Sequence, residues 1–62
     1  MSPARQETLP LSGHEREIVA ELVESERARL LVEIRHTDHR AYRDELRERL
    51  DVVEALLQRC RA

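Results

Sequence analysis

The sequence has very little of several residue types that define common classes of small protein. It contains one cysteine, one glycine and one tyrosine, and it has no lysine, phenylalanine or tryptophan. A single cysteine, Cys60, excludes a disulfide within the chain, and no Cys/His pattern has the spacing of a structural zinc site. The single glycine excludes a glycine-rich loop that cradles phosphate. The chain therefore encodes none of the usual covalent or metal supports of a small fold.

The charge pattern argues against nucleic acid as a partner. Charged residues make up 39% of the chain, the formal net charge is -2, and every basic residue is arginine. Binding to nucleic acid normally needs a clustered positive surface and aromatic rings that stack on bases. No apolar run approaches the length of a membrane-spanning helix, and the N-terminus lacks a basic region followed by an apolar one. We expect a cytoplasmic protein that binds neither nucleic acid nor membranes.

The first helix is predicted from a start signal and a periodic pattern. Residues 1–11 contain two prolines and no periodicity, which predicts a flexible N-terminal tail. Ser12 and Glu15 have the spacing of a capping box. The following segment has no proline, and its apolar residues recur at about 100° per residue, which predicts a helix over about 13–36. The apolar stripe of this helix consists of Ile18, Val19, Leu22, Val23, Leu30 and Ile34.

A second apolar stripe follows, and its phase predicts a turn between two helices. It consists of Tyr42, Leu46, Leu50, Val53, Leu57 and Cys60. In one continuous helix the two stripes would lie roughly 170° apart at about 100° per residue. A turn at about 36–38, with Thr37 or Asp38 as the N-cap of a second helix over about 38–61, removes this conflict. Residues 12–62 are therefore predicted to form an all-α, two-helix antiparallel hairpin.

The small size of this hairpin predicts self-association. Chains shorter than about 70 residues rarely gain enough stability from one hydrophobic core, and the sequence has neither a disulfide nor a structural zinc pattern to compensate. Further apolar residues also lie off the two stripes, namely Leu31, Val32, Val52 and Leu56. We therefore expect two hairpins to dimerise into a four-helix bundle, so that the first partner of the chain is a second copy and another protein is a further candidate.

Two glutamates interrupt the apolar stripe of the first helix. Glu26 and Glu33 lie almost on the centre line of this stripe. A carboxylate buried there would be costly unless it is paired, so each glutamate needs a partner. A hairpin that turns at about Thr37 places Glu26 level with Arg49, and it places Glu33 level with three polar residues of the second helix. The prediction is a buried ion-pair and hydrogen-bond network that fixes the register of the helices. Its members are Glu26, Glu33, His39, Tyr42, Arg43 and Arg49.

A metal site is the alternative interpretation of the same residues. Glu33 and His36 have the E-x-x-H spacing that, in ferritin-like di-iron bundles, combines with glutamates of the other helices around a metal pair. A homodimer would supply this motif twice. The second helix has no glutamate near its stripe centre, since Glu45, Glu48 and Glu54 are predicted to point away. The candidate metal ligands are Glu26, Glu33, His36 and His39.

The residues needed for enzymatic chemistry are not arranged for it. The three serines, Ser2, Ser12 and Ser25, have no general base at a plausible distance, so neither a Ser-His-Asp nor a Cys-His arrangement can be built. We expect a non-enzymatic protein-interaction module without a cofactor, which acts as a small adaptor or regulatory subunit. The alternative is a carboxylate/histidine metal-binding bundle with a storage or redox role.

Overall fold

The computed structural model describes residues 10–62, and within this range the chain forms two α-helices joined by a short turn. Helix α1 is Gly13–His36 and helix α2 is Arg40–Arg61. The predicted all-helical hairpin is thereby confirmed for the described part of the chain. The tail predicted over residues 1–11 falls mostly on residues 1–9, which lie outside that part. Neither helix combines the length and apolar character that crossing a membrane requires.

Helix α1 begins with a complete capping box. The backbone N–H of Glu15 donates to Ser12 Oγ at 3.1 Å, and the backbone N–H of Ser12 donates to Glu15 Oε1 at 3.0 Å. The N–H of Arg16 donates to the carbonyl of Ser12 at 2.9 Å. Because the first amides of a helix lack partners within it, these bonds define where α1 starts.

The turn between the helices is built without glycine. Thr37 is the C-cap of α1 in an extended conformation, with φ -100° and ψ 135°, and its N–H donates to the carbonyl of Glu33 at 3.0 Å. His39 is the N-cap of α2, and its Nδ1 accepts from the N–H of Tyr42 at 3.3 Å. The prediction of Thr37 or Asp38 as this N-cap was therefore wrong. A β-branched threonine suits extended backbone, and a ring nitrogen replaces the usual oxygen acceptor.

The core lies along the seam between the helices and is small. Leu30 of α1 is fully enclosed, and it packs with Leu46 and Val53 of α2. Val23, Ile34 and Leu50 are partly buried against this cluster. The buried row of α2 continues towards the open end of the hairpin through Leu57 and Cys60.

Two members of the predicted stripe of α1 are exposed. The Ile18 and Leu22 residues remain 44% and 65% exposed. The inward side of α1 is centred on Val23, Leu30 and Ile34, and at about 100° per residue Leu22 lies about 100° away from Val23. The apolar arc of α1 is therefore wider than a single neighbouring helix can cover.

Replacing Leu30 by alanine tests this core. We expect Leu30→Ala to lower the free energy of unfolding by about 2–5 kcal/mol, because it removes a fully enclosed side chain and leaves a cavity. Val32→Ala is the matched control, since Val32 is 50% exposed on the same helix and should cost less than about 1 kcal/mol. Urea unfolding followed by circular dichroism measures both. Equal costs for the two variants would contradict the assignment of Leu30 to the core.

Candidate functional site

Glu26 is the centre of a polar cluster at the helix seam. Its Oε2 accepts from Arg49 Nε of α2 at 2.6 Å. Arg29, one turn further along α1, donates from Nε to Oε1 at 2.9 Å and from Nη2 to Oε2 at 2.8 Å. One carboxylate therefore holds two guanidinium groups, one from each helix, and a bidentate pair of this kind is geometrically specific.

The cluster continues from Glu26 towards the turn as a row of alternating groups. Arg29 Nη1 lies 3.3 Å from Glu33 Oε2, and Tyr42 Oη donates to Glu33 Oε1 at 3.3 Å. We call this row the seam network, and its members in order are Arg49, Glu26, Arg29, Glu33 and Tyr42. It joins α1 to α2 at two heights, through Glu26 with Arg49 and through Glu33 with Tyr42. Arg29 was missed by the sequence reasoning, although its spacing of three and four residues from the two glutamates is that of helical ion pairs.

Two residues predicted for the network have other roles. His39 caps α2, and its backbone N–H approaches Thr37 Oγ1 at 3.4 Å. Arg43 donates from Nη2 to the carbonyl of Thr37 at 2.6 Å, so it supports the turn. The prediction that both face Glu33 is corrected, because these residues lie in the cap and first turn of α2, where free backbone groups compete for polar side chains.

The predicted burial of the two glutamates is also corrected for the single chain. The Glu26 side chain is 23% exposed and that of Glu33 is 39% exposed. Both flank the line of Val23, Leu30 and Ile34 instead of lying on it, which leaves their carboxylates open to water on one side. Ion pairs in such positions contribute modestly to stability, so the seam network specifies the register of the helices more than it holds them together.

The electrostatics of Glu26 follow from its two donors. Hydrogen bonds from Arg29 and then from Arg49 lower the pKa of the Glu26 carboxyl from 4.5 to about 2. The same contact with Glu26 raises the pKa of Arg29 above its ordinary value. Glu26 therefore stays ionised at neutral pH, and its lone pairs are directed at guanidinium groups. This arrangement makes it a structural anion and a poor proton acceptor.

The four candidate metal ligands are not brought together. Glu26 and Glu33 bond to arginines, His39 caps a helix, and His36 is exposed at the end of α1. Across residues 10–62, no group of three or more His, Cys, Asp or Glu side chains is placed to hold a metal ion. The expectation that Glu54 points away from α1 is corrected too, because its Oε2 lies 3.1 Å from Arg27 Nε.

A second set of ion pairs flanks the other side of the seam. Arg27 pairs with Glu54, and towards the open end Arg61 of α2 pairs with Glu24 of α1. Glu26 and Arg27 are adjacent in sequence, so they lie about 100° apart around α1 and reach α2 on opposite sides of Leu30. The seam is therefore bordered by opposite charges along both edges.

Most of the exposed apolar side chains share the side of the seam network. In the described part of the chain, the large hydrophobic residues classed as exposed are Ile18, Leu22, Val32, Tyr42, Val52 and Leu56. Tyr42 belongs to the network, and Ile18, Leu22, Val52 and Leu56 each lie three, four, seven or eight residues from a network residue on their own helix. Val32 is the exception, since it lies about 160° around α1 from Leu30. Such spacings place side chains on one side of a helix. One side of the hairpin is therefore apolar with a central polar band, and the other is dominated by ion pairs.

No family model matches this chain, and neither does any curated protein or solved structure. The carboxylates are neutralised by arginines, and the surrounding groups are aliphatic. Such a surface is suited to packing against another helical surface, because aliphatic groups gain from burial and the polar groups already have partners.

The depressed pKa of Glu26 predicts how stability depends on pH. As the pH falls from about 4.5 towards 2, the unfolded chain binds a proton at residue 26 before the folded chain does, so the stability contributed by this residue is lost over that range. The melting temperature of the wild type should therefore fall more steeply there than that of Glu26→Gln. Glu21→Gln is the control, since Glu21 has no ion-pair partner within the described residues. If the melting temperatures of the wild type and Glu26→Gln fell equally steeply between about pH 4.5 and 2, the prediction would be contradicted.

Proposed function

We propose that this chain is a small non-enzymatic protein-interaction module that acts as a homodimer, in which two hairpins pack into a four-helix bundle. In this role it would serve as an adaptor or regulatory subunit in the cytoplasm. The hairpin fold supports the proposal because short antiparallel helix pairs commonly complete their cores by pairing with another such unit. The bundle also provides the further core that a chain of 62 residues needs.

The balance of buried and exposed apolar residues carries the proposal. Only five residues are buried in the described chain, whereas six large hydrophobic residues are exposed by 38% or more. Single exposed apolar side chains are ordinary on protein surfaces, but here five of the six lie on the side of the seam network. A cluster of this kind in so short a chain is typical of an interface.

A homodimer is favoured over a site for a small molecule. A concavity with a volume of about 590 Å³ is an open groove between the ion pairs Arg27–Glu54 and Arg61–Glu24. Ligand pockets are typically enclosed and mainly apolar. The exposed side chains of Ile18, Leu22, Val52 and Leu56 lie on the other side of the hairpin, where the surface suits a helical partner. A metal-binding bundle remains the alternative hypothesis from the sequence, and no contact among the described residues favours it.

Mass and melting behaviour test the homodimer. Light scattering should give about twice the chain mass of 7.3 kDa. The melting temperature should rise with protein concentration, because association stabilises only the folded state. The effect should persist in the presence of a chelator, which separates assembly from metal binding. A monomer whose melting temperature is independent of concentration would contradict the proposal.

A further inference from the structure

We propose that the second copy packs on the side of the seam network with both turns at the same end of the bundle. In this arrangement the apolar patch formed by Ile18, Leu22, Val52 and Leu56 meets the same patch of the second copy. The Glu26–Arg49 pairs of the two copies also meet, and they form a ring of four alternating charges. This inference rests on the proposed homodimer and specifies its interface and its orientation.

The register of the hairpin determines which residues are level with one another. Three of the contacts that join α1 to α2 share one register: Glu26 with Arg49, Glu33 with Tyr42, and Arg16 Nη1 with the carbonyl of Arg59. In each of these pairs the two residue numbers add to 75. On the side of the seam network, residues of the two helices whose numbers have about this total therefore lie at the same height above the turn. The pairs on the opposite edge, Arg27–Glu54 and Arg61–Glu24, have larger totals.

The apolar patch lies towards the open end of the hairpin. Leu22 is level with Val52 and Ile18 is level with Leu56, since each pair has nearly the same total. The Leu22 and Val52 residues are 65% and 67% exposed, the largest fractions among the exposed hydrophobics of the described chain. The Glu26–Arg49 pair lies next to the patch on the side of the turn. The face is therefore apolar near the open end and charged nearer the turn. Because its two ends differ, the two possible orientations of a dimer bring different groups into contact.

Placing both turns at one end matches these features. In this arrangement the two copies are related by a two-fold axis that runs parallel to the helices. The rotation keeps the height of every residue and exchanges the positions of the two helices, so each α1 faces α2 of the second copy at the same height. Leu22 then meets Val52 of the second copy, and Ile18 meets Leu56. Glu26 of each copy faces Arg49 of the other, so like charges are not brought together.

The opposite orientation pairs unlike surfaces. With the turns at opposite ends and the full lengths overlapping, each helix lies on its own counterpart and heights are inverted about the midpoint. Val52 then lies level with Arg49 of the second copy and Leu56 with Glu45, so aliphatic groups cover charged groups and leave them without new partners. Removing charged groups from water in this way is unfavourable.

The area of the face argues against a shorter overlap centred on the patch. Helix α1 has 24 residues, which gives about 36 Å at about 1.5 Å per residue, and two helices side by side are about 20 Å wide. The whole face thus offers about 700 Å², close to the roughly 800 Å² that each partner contributes to a standard interface. An overlap of half the length would offer about half as much. The face also carries no net charge in its network, since Glu26 and Glu33 balance Arg29 and Arg49.

Distances between labels at the turn test the orientation. Asp38 is exposed at the turn, so a spin label on Asp38→Cys, in a Cys60→Ala background, reports on the end of the hairpin. With both turns at one end, the two labels of a dimer should lie about 15–25 Å apart, since neighbouring helix axes in a bundle are about 8–10 Å apart. With opposite ends they should lie at least about 36 Å apart. The mass of the Cys60→Ala protein is measured first to show that it still forms the dimer.

Substitutions in the patch test which face is used. Leu22→Glu and Val52→Glu should each weaken the dimer at least tenfold, measured as the dissociation constant by sedimentation. Gln58→Glu is the matched control, because it adds the same charged group to α2 at an exposed position about 160° around the helix from Leu56. This control should leave the dissociation constant unchanged. Circular dichroism at high concentration checks that each variant keeps its helices.

The outcomes separate this inference from the proposed function. A monomeric wild type overturns both. A dimer with labels at least 36 Å apart, or one that Leu22→Glu and Val52→Glu leave intact, overturns the orientation or the face while the homodimer stands. A dimer weakened equally by Gln58→Glu also overturns the assignment of the face. Short label distances together with selective weakening by the two patch variants support the proposal.

Discussion

A helical hairpin can bury only one side of each of its helices, and most of the features of this chain follow from that constraint. Helix α1 carries apolar residues over an arc too wide for α2 to cover. Packing therefore selects one part of the arc, centred on Val23, Leu30 and Ile34, and leaves Ile18 and Leu22 in contact with water. Leu30 is the one fully enclosed side chain of the described residues, so the core depends heavily on a single position.

Beyond this small core, ion pairs between charged residues connect the two helices along both edges of the seam. Glu26 bonds to Arg49 along one edge of the seam, and Arg27 bonds to Glu54 along the other. These contacts are partly open to solvent, so each contributes little to the free energy of folding. These ion pairs fix the register of the two helices. A guanidinium group paired with a carboxylate has a preferred orientation, so a shift of one helix along the other would break the pair. The exclusive use of arginine among the basic residues is consistent with this role.

The same geometry connects the fold to the proposed assembly. The seam network and four of the exposed aliphatic groups share one side of the hairpin, so a partner that covers these groups must also cover the network. The polar groups there already have partners, which reduces the desolvation cost of such a contact. A polar band inside an otherwise apolar interface is a recognised means of specifying orientation and register. Stability and specificity of the dimer would thus come from different residues of one face.

Local patterns in the sequence determined the helices, their order and the approximate heights of facing residues. The capping box of Ser12 and Glu15 and the break between the two apolar stripes are local signals. Counting residues from a turn near Thr37 was enough to place Glu26 level with Arg49 and Glu33 level with Tyr42. The packed structure alone decided how α1 is rotated about its axis, because several apolar arcs of that helix are nearly equivalent until α2 covers one of them. That rotation moved Glu26 and Glu33 from the expected core to the edge of the seam, and it brought Arg29 between them. It also left His39 to cap α2, because the free amides at the start of that helix exist only once the chain has turned.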